Sequence, residues 1–547
     1  MSLPAPLPIE FRSRRSSVYG RRGMVASSQP LATAAGLDIL RRGGNAADAA
    51  VAVAAALNVT EPTSTGIGGD MFSLFYDAKT GQVIALNGSG RAPAGLTRER
   101  ILREGLSPAL PAYHPFTVTV PGACAGWCDL LDQHGTLSMA EVLAPAISLA
   151  EDGFPVAPTT SYFWRAGANR QLKTAPNGHE LTLEGRGPNP GEIFRNPGLA
   201  HTFRTVAEGG KRAFYEGQIA EAISDVLQKA GGVMTAADLA EHTSTWEEPA
   251  SVTFGDYRIY ECPPNGQGIT ALLAFNLLEG FDMAGLAPLS VERLHLQIEA
   301  LRLAFVDARW HISDPEFNNI PLAELLSKEY AAERRKLIDP KRATLDQKRG
   351  TPVASSDTVY FCVVDEMGNA CSFINSNYMG FGTGIVPKGW GFSLQNRGHN
   401  FVLDPEHPNR LEPKKRPYHT IIPGLITRAD GGLFGPFGVM GGFMQPQGHL
   451  QVGLSLLADG LDPQSALDLP RFCIDIDNGE QSGAVLLEEG IPWRAAAELA
   501  ALGHPVKPVS GWGRAVFGRG QVILRDSASG TLTGGSDPRA DGLAMTL

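Results

Sequence analysis

Two short apolar segments in the second half of the chain alternate with turn-forming residues in the pattern of a β-hairpin. Residues 359–364 and 370–374 are rich in β-branched and aromatic side chains, and residues 365–369 between them favour a turn. Thr358 therefore opens a predicted strand. Taken alone, a Thr at this position indicates only a strand residue and no catalytic role, because a β-branched residue favours a strand.

Helical periodicity dominates elsewhere. Residues 31–40 and 45–59 are two Ala-rich segments that predict closely packed helices, with Asn45 as the N-cap of the second. Residues 290–310 carry apolar side chains at helical spacing. We interpret His295 in this segment as structural, because no metal or triad partners stand near it in the sequence.

A glycine-rich turn at 66–70 leads from the second helix into a predicted strand. Phosphate-binding loops run in the opposite order, from strand to helix, so a dinucleotide site is excluded here. The two strands predicted after this turn are followed by a loop that contains Arg91, with glycines at positions 88 and 90. A guanidinium in such a loop can bind a carboxylate through two parallel hydrogen bonds.

Composition narrows the function classes. The chain has 547 residues, a net charge of −10 and six cysteines, which disfavours nucleic-acid binding and a disulfide scaffold. Cys124 and Cys128 lack the spacing of a zinc knuckle and are expected to be small buried residues. We expect neither a metal nor a cofactor. No serine-hydrolase Gly-x-Ser-x-Gly motif occurs.

The apolar segments of the chain predict where in the cell the protein is located. Residues 1–22 contain no apolar stretch of signal-peptide length, and the Ala-rich run at 46–59 is too short to span a bilayer. These features predict a cytoplasmic protein with no membrane partner.

The Asp357-Thr358 pair, the hairpin and the following Gly382-Thr383-Gly384 together resemble the start of the small subunit of the gamma-glutamyltransferases, which are N-terminal nucleophile hydrolases. The glycine-rich turn and Arg91 extend the resemblance upstream, and it covers the chain from about residue 23 to the C-terminus. It implies an α+β fold, a four-layered αββα sandwich of two antiparallel sheets flanked by helices.

The resemblance also implies self-cleavage between Asp357 and Thr358, giving a large subunit of residues 1–357 and a small subunit of residues 358–547 that stay together as a heterodimer. Thr358 would then be a nucleophile whose own α-amino group serves as the base, since that group has a pKa of about 8. Ser376 matches a family Thr that hydrogen-bonds this amino group. Gly441 and Gly442 match a glycine pair that supplies oxyanion-binding N–H groups.

The same resemblance assigns the substrate pocket, and here the chain departs from the family. Arg91 matches the Arg that holds the substrate α-carboxylate. Asn400 stands where the family has an Asp that receives the substrate ammonium, and His419 and Thr420 stand where two Ser residues help to hold the carboxylate. A neutral Asn400 removes a charge-assisted hydrogen bond. The pocket is therefore expected to be suited to a carboxylate but less committed to an amino acid.

Three readings of the function remain open. The first is a self-processing enzyme that acts on γ-glutamyl compounds such as glutathione, with water or an amine as acceptor. The second is an acylase or amidohydrolase for a carboxylate-bearing amide without an α-amino group, as in glutaryl-cephalosporin acylases or oxamate amidohydrolases. The third is an uncleaved binding relative, which the presence of Thr358, Arg91 and the glycine pair disfavours.

Overall fold

The computed structural model describes residues 15–345, 358–475 and 483–547. Two seven-stranded antiparallel sheets and two small sheets form from these residues. Their strands are β1 (Val18–Gly20), β2 (Gly23–Ser27), β3 (Asp70–Asp77), β4 (Gln82–Gly88), β5 (Phe154–Pro155), β6 (Ile193–Phe194), β7 (Thr245–Glu247), β8 (Ala250–Phe254), β9 (Tyr257–Glu261), β10 (Val359–Asp365), β11 (Ala370–Ser376), β12 (Gly424–Arg428), β13 (Leu433–Met440), β14 (Phe472–Ile474), β15 (Val485–Glu488), β16 (Val506–Val509), β17 (Arg519–Arg525), β18 (Leu532–Ser536) and β19 (Leu543–Thr546).

Helices occupy most of the remaining described chain. They are α1 (Pro30–Arg41), α2 (Ala46–Thr60), α3 (Arg98–Arg103), α4 (Ala123–His134), α5 (Met139–Asp152), α6 (Pro158–Gly167), α7 (Pro197–Tyr215), α8 (Gln218–Lys229), α9 (Ala236–Ala240), α10 (Gly268–Leu278), α11 (Val291–His311), α12 (Leu322–Leu325), α13 (Lys328–Arg335), α14 (Met444–Leu457), α15 (Pro463–Asp468) and α16 (Trp493–Ala501). None of the helices in the described ranges is both long and apolar enough to cross a membrane.

The two large sheets lie face to face. Sheet 1 has the strand order β19-β2-β10-β11-β3-β4-β7, and sheet 2 has the order β1-β18-β17-β13-β12-β9-β8. Alternate side chains of β10 face opposite sides: Tyr360 and Cys362 pack in the core between the sheets, whereas Phe361 and Val363 pack in the core beneath α1 and α2. A third core joins sheet 2 to α10, α11 and α14. These three cores confirm the predicted four-layered αββα sandwich.

The predicted hairpin is confirmed as β10 and β11, two central strands of sheet 1. They pair antiparallel with Val359 opposite Asn375, and the second strand extends two residues beyond the predicted end, to Ser376. On the other side of β11, Ser376 pairs with Asp70 of β3. This register brings the ends of three strands together at one edge of the sandwich.

The Ala-rich helices also form as predicted. The Asn45 side chain accepts from the N–H groups of Ala47 and Asp48, and the Asp48 carboxylate accepts from the Asn45 N–H, which makes a capping box. Every residue of α2 is buried, because its small side chains let it pack closely between α1, α5 and the sheet. All six cysteines lie in the described ranges, where they are buried and form no disulfide. Residues 251–262 form most of the β8–β9 hairpin.

Candidate active site

Thr358 stands immediately before β10 and is fully buried. The hairpin register places Ser376 beside it, and the two hydroxyl oxygens, Thr358 Oγ1 and Ser376 Oγ, are 3.0 Å apart. Ser376 Oγ also accepts from the Tyr378 N–H at 2.8 Å. Asp357, the other residue of the predicted cleavage site, lies outside the described residues. The Thr358 hydroxyl is thus held by a second hydroxyl whose position the backbone fixes.

Tyr378 has a backbone φ of +79°, which is unfavourable for a bulky side chain and usually persists only where the surroundings enforce it. Three contacts do so. Its N–H binds Ser376, its hydroxyl donates to Asn400 Oδ1 at 2.6 Å, and its ring lies 4.4 Å below the guanidinium carbon of Arg397. Tyr378 therefore links Ser376, the neighbour of Thr358, to Asn400 and Arg397.

The Asn400 side chain forms hydrogen bonds to two other residues of the protein. Its Oδ1 accepts from Tyr378, and its Nδ2 donates to the Tyr418 carbonyl at 3.1 Å. Thr420, two residues after Tyr418, accepts from Arg397 Nη1 at 2.6 Å through its hydroxyl. Asn400 and Thr420, two of the predicted substrate contacts, are accordingly both linked to Arg397, Thr420 directly and Asn400 through Tyr378.

Gly441 and Gly442 follow β13 and precede α14 with φ angles of +132° and +56°, values that favour glycine. Gln267 links them to the pocket, since its Nε2 donates to the carbonyls of both Thr420, at 2.6 Å, and Gly442, at 2.8 Å. Among the described residues, no hydrogen bond uses the N–H of Gly441 or Gly442. Two consecutive backbone donors are thereby left for a ligand.

Asp70 and His419 form a buried pair beside Ser376. Asp70 Oδ1 accepts from the N–H groups of Gly90 and Gly122 and from Gln395, while Asp70 Oδ2 lies 3.0 Å from His419 Nε2. The Ile421 N–H donates to His419 Nδ1, so neutral His419 carries its proton on Nε2 and donates it to Asp70.

Burial dominates the electrostatics of this pair. It raises the pKa of Asp70 to about 7, although Arg397 and the hydrogen bonds from Gly90 and Gly122 act to lower it. Burial also lowers the pKa of His419 well below its usual value, and the positive charges of Arg397 and Arg416 act in the same direction. His419 is therefore neutral at pH 7, and its hydrogen bonds serve to hold Asp70 and the adjoining strand.

Arg91 lies apart from this set of contacts. Its Nη2 forms an ion pair with Glu316 Oε1 at 2.9 Å and its Nη1 donates to the Thr243 carbonyl at 3.4 Å. The guanidinium borders a cavity of about 270 Å³, which Phe317 and Lys414 also line. Arg91 is joined to the remaining site residues through its backbone neighbour Gly90, which donates to Asp70.

The structure thus joins Thr358, Ser376, Asn400, Thr420 and Gly442 through a continuous set of contacts. Sequence reasoning missed the residues that join them, namely Tyr378, Arg397 and Gln267, and it missed Asp70 beside them. Arg397 stands only three residues before Asn400, so its proximity to the pocket could have been read from the sequence. Gln267 and Asp70 carry no such signal, because each is brought to the site from a separate part of the fold.

One interpretation from sequence needs correction. His295 was expected to lack partners, yet His504 Nε2 lies 2.7 Å from its Nδ1, and Glu299 is close enough for the three side chains to hold a metal ion. His504 is 209 residues away in sequence, which is why the cluster was not foreseen. The two rings hydrogen-bond each other, and burial lowers the pKa of His504 to about 3.

Comparisons with known proteins agree with this architecture. The family model described as Gamma-glutamyltranspeptidase matches residues 32–547. The chain is 38% identical to the glutathione hydrolase-like YwrD proenzyme of Bacillus subtilis, covering 97% of this chain and 99% of that protein. It is 34% identical to the acylase ACY 1 proenzyme of a Pseudomonas species, covering 100% and 98%.

A solved structure extends the likeness to three dimensions. The cephalosporin acylase of Bacillus halodurans superimposes with a TM-score of 0.91 at 45% identity, covering 100% of this chain and 99% of that one. Family model, relatives and fold agree over nearly the whole length. The chain therefore belongs to the gamma-glutamyltranspeptidase family of N-terminal nucleophile hydrolases.

Proposed function

We propose that Thr358 is the nucleophile of a self-processing amidohydrolase. The observation that carries this proposal is the buried Thr358 hydroxyl, which lies 3.0 Å from Ser376 Oγ at the start of a central strand. In the precursor, the hydroxyl attacks the Asp357 carbonyl and the acyl group moves from nitrogen to oxygen. Water then hydrolyses the ester, which leaves chains of residues 1–357 and 358–547.

Cleavage supplies the base that the hydroxyl needs. The new α-amino group of Thr358 takes the Oγ1 proton as the oxygen attacks the substrate amide, and then passes that proton to the leaving amine. The N–H groups of Gly441 and Gly442 stabilise the oxyanion, each donor contributing about 3 kcal/mol to lowering the barrier. Water or a second amine then takes the acyl group from Thr358, and the enzyme is restored.

The first candidate substrate is a γ-glutamyl amide such as glutathione. The glutathione hydrolase-like relative supports it, since the alignment with that protein, at 38% identity, covers 97% of this chain. In this reading Arg91 binds the α-carboxylate, and His419 and Thr420 are the further carboxylate contacts that the family resemblance assigns. The ion pair of Arg91 with Glu316 would have to open, which costs little for a partly exposed pair.

The second candidate is an acyl group that bears a carboxylate but no amino group. Asn400 favours it, because this side chain is neutral and already hydrogen-bonded to Tyr378 and Tyr418. It offers no negative charge to an ammonium. The similarity to a cephalosporin acylase at a TM-score of 0.91 also favours this reading.

A denaturing gel with intact masses tests the proposed chemistry. Wild-type protein should give two fragments of 357 and 190 residues (547 − 357 = 190). Thr358→Ala should remain one chain and lack amidase activity, whereas Thr358→Ser keeps a hydroxyl and should still cleave. If Thr358→Ala splits at the same bond, Thr358 is not the residue that cuts the chain.

A further inference from the structure

Arg397 is a buried cation with unused hydrogen-bonding capacity. The residue is fully buried. Its Nη1 donates to Thr420, but Nε and Nη2 find no acceptor among the described residues. A buried guanidinium with two donors unpaired is costly, so a protein that retains one has a reason to present it to a ligand.

The guanidinium lies between the two halves of the proposed reaction centre. On one side it covers the ring of Tyr378, whose N–H binds Ser376 next to Thr358. On the other side it binds Thr420, whose carbonyl shares the Gln267 amide with Gly442. An acyl group bound to Thr358 with its oxyanion at Gly442 would therefore extend beside Arg397.

Within residues 15–345, 358–475 and 483–547, no carboxylate forms an ion pair with this cation. Asp70 is the acid whose charge acts most on Arg397, but its two oxygens already accept from Gly90, Gly122, Gln395 and His419. Burial lowers the pKa of Arg397 to about 10, so the side chain is still charged at pH 7. An anionic ligand would supply the missing partner.

We propose that Arg397 binds the free carboxylate of the substrate acyl group and so selects monoamides of short dicarboxylic acids. This inference rests on the proposed amide hydrolysis at Thr358. The two unused donors, Nε and Nη2, are the pair that a guanidinium offers to both oxygens of a carboxylate. Arg397 is thus a specificity-determining residue additional to Arg91.

The test compares two anilides that differ in one group. Glutaryl anilide carries the carboxylate, and pentanoyl anilide has the same five-carbon chain ending in a methyl group. The ratio of their kcat/KM values reports carboxylate recognition alone. In a variant that still self-cleaves, Arg397→Gln should lower this ratio roughly thirtyfold or more, the loss expected for a charged hydrogen-bonded contact. A general loss of activity affects both anilides and cancels in the ratio. Arg212→Gln, an exposed Arg on α7, is the matched control and should leave the ratio unchanged.

Arg397→Lys provides a second readout should the Gln variant fail to fold. It keeps the charge but loses the planar fork, so the ratio of the glutaryl to the pentanoyl kcat/KM should fall about tenfold. Two results would overturn the role of Arg397 and leave the Thr358 chemistry intact. One is an unchanged ratio in the folded Arg397 variants, and the other is a ratio that falls in Arg91→Gln but in neither Arg397 variant. A wild-type chain that stays uncleaved and hydrolyses neither anilide overturns the proposed function itself.

Discussion

Ser376 shows how a single hydroxyl can organise the candidate site. Its oxygen contacts the Thr358 hydroxyl and accepts from the Tyr378 N–H. The second bond holds Tyr378 in a left-handed backbone conformation, which carries its ring beneath Arg397. One side chain therefore holds both the proposed nucleophile, Thr358, and the tyrosine that packs against Arg397.

Asn400 controls whether an ammonium is recognised. We predict that the wild-type kcat/KM values for γ-glutamyl anilide and glutaryl anilide lie within about tenfold of each other. The reason is that the neutral Asn400 side chain offers no negative charge to bind the substrate ammonium. Asn400→Asp should shift the ratio at least roughly tenfold towards the γ-glutamyl compound. The new carboxylate also loses the bond to the Tyr418 carbonyl, so the free energy of unfolding should fall by about 1–3 kcal/mol.

Asn409→Asp is the matched control for that substitution. Asn409 is buried next to Asn400, since its side chain accepts from the Tyr418 N–H and donates to the Asn400 carbonyl. It should change stability without changing the substrate ratio. Equal ratios in both variants, or a wild-type preference of several hundredfold for the γ-glutamyl compound, would show that another residue recognises the ammonium.

At the scale of elements, the end of α2 is joined to the second sheet by a buried ion pair. Glu61, the C-cap of α2, accepts from Arg519 Nη1 of β17 at 3.0 Å. Burial raises the pKa of Glu61 to about 7, despite the lowering effects of Arg519 and the Ser28 hydroxyl. The carboxyl group is thus protonated more readily in the folded than in the unfolded chain.

This shift predicts a pH-dependent stability. Between the unfolded pKa of 4.5 and the folded value of about 7, the folded state binds more protons, so the contribution of Glu61 to stability falls as pH rises and is constant above pH 7. The free energy of unfolding of wild type minus that of Glu61→Gln should decline by on the order of 3 kcal/mol over this range. Urea titrations at several pH values measure it, and a flat or rising difference would contradict the assignment.

At the scale of the whole molecule, the proposed cleavage does not divide the fold into two domains. In sheet 1, strands β10 and β11 from the second fragment lie between β2 and β3 from the first. In sheet 2, β12 pairs with β9 across the same division. Both sheets, and the cores on either side of them, are shared by the two fragments.

The processed protein should therefore behave as one particle. We predict that the fragments elute together in size-exclusion chromatography without denaturant, and that they separate in urea only within the transition in which the fold is lost. The reason is that separation would break the ladders of both sheets and expose three cores. Fragments that part at urea concentrations below the unfolding transition would argue against the shared architecture.

The sequence by itself determined the local elements and the family. Alternating apolar residues and a turn at 365–369 define the β10–β11 hairpin, and the Asn45 cap defines the start of α2, since both signals act over a few neighbouring residues. The resemblance placed Thr358, Ser376 and Gly442 among the site residues, and the structure brings all three into one set of contacts.

Only the tertiary structure decided which other side chains complete that set. Asp70 meets His419, and Gln267 meets Gly442, from positions 349 and 175 residues apart, and His504 meets His295 in the same way. No local sequence pattern predicts such pairs, because they depend on sheet register and on how the layers pack. The unused donors of Arg397 belong to this class, since whether a buried cation finds a partner depends on every element packed around it.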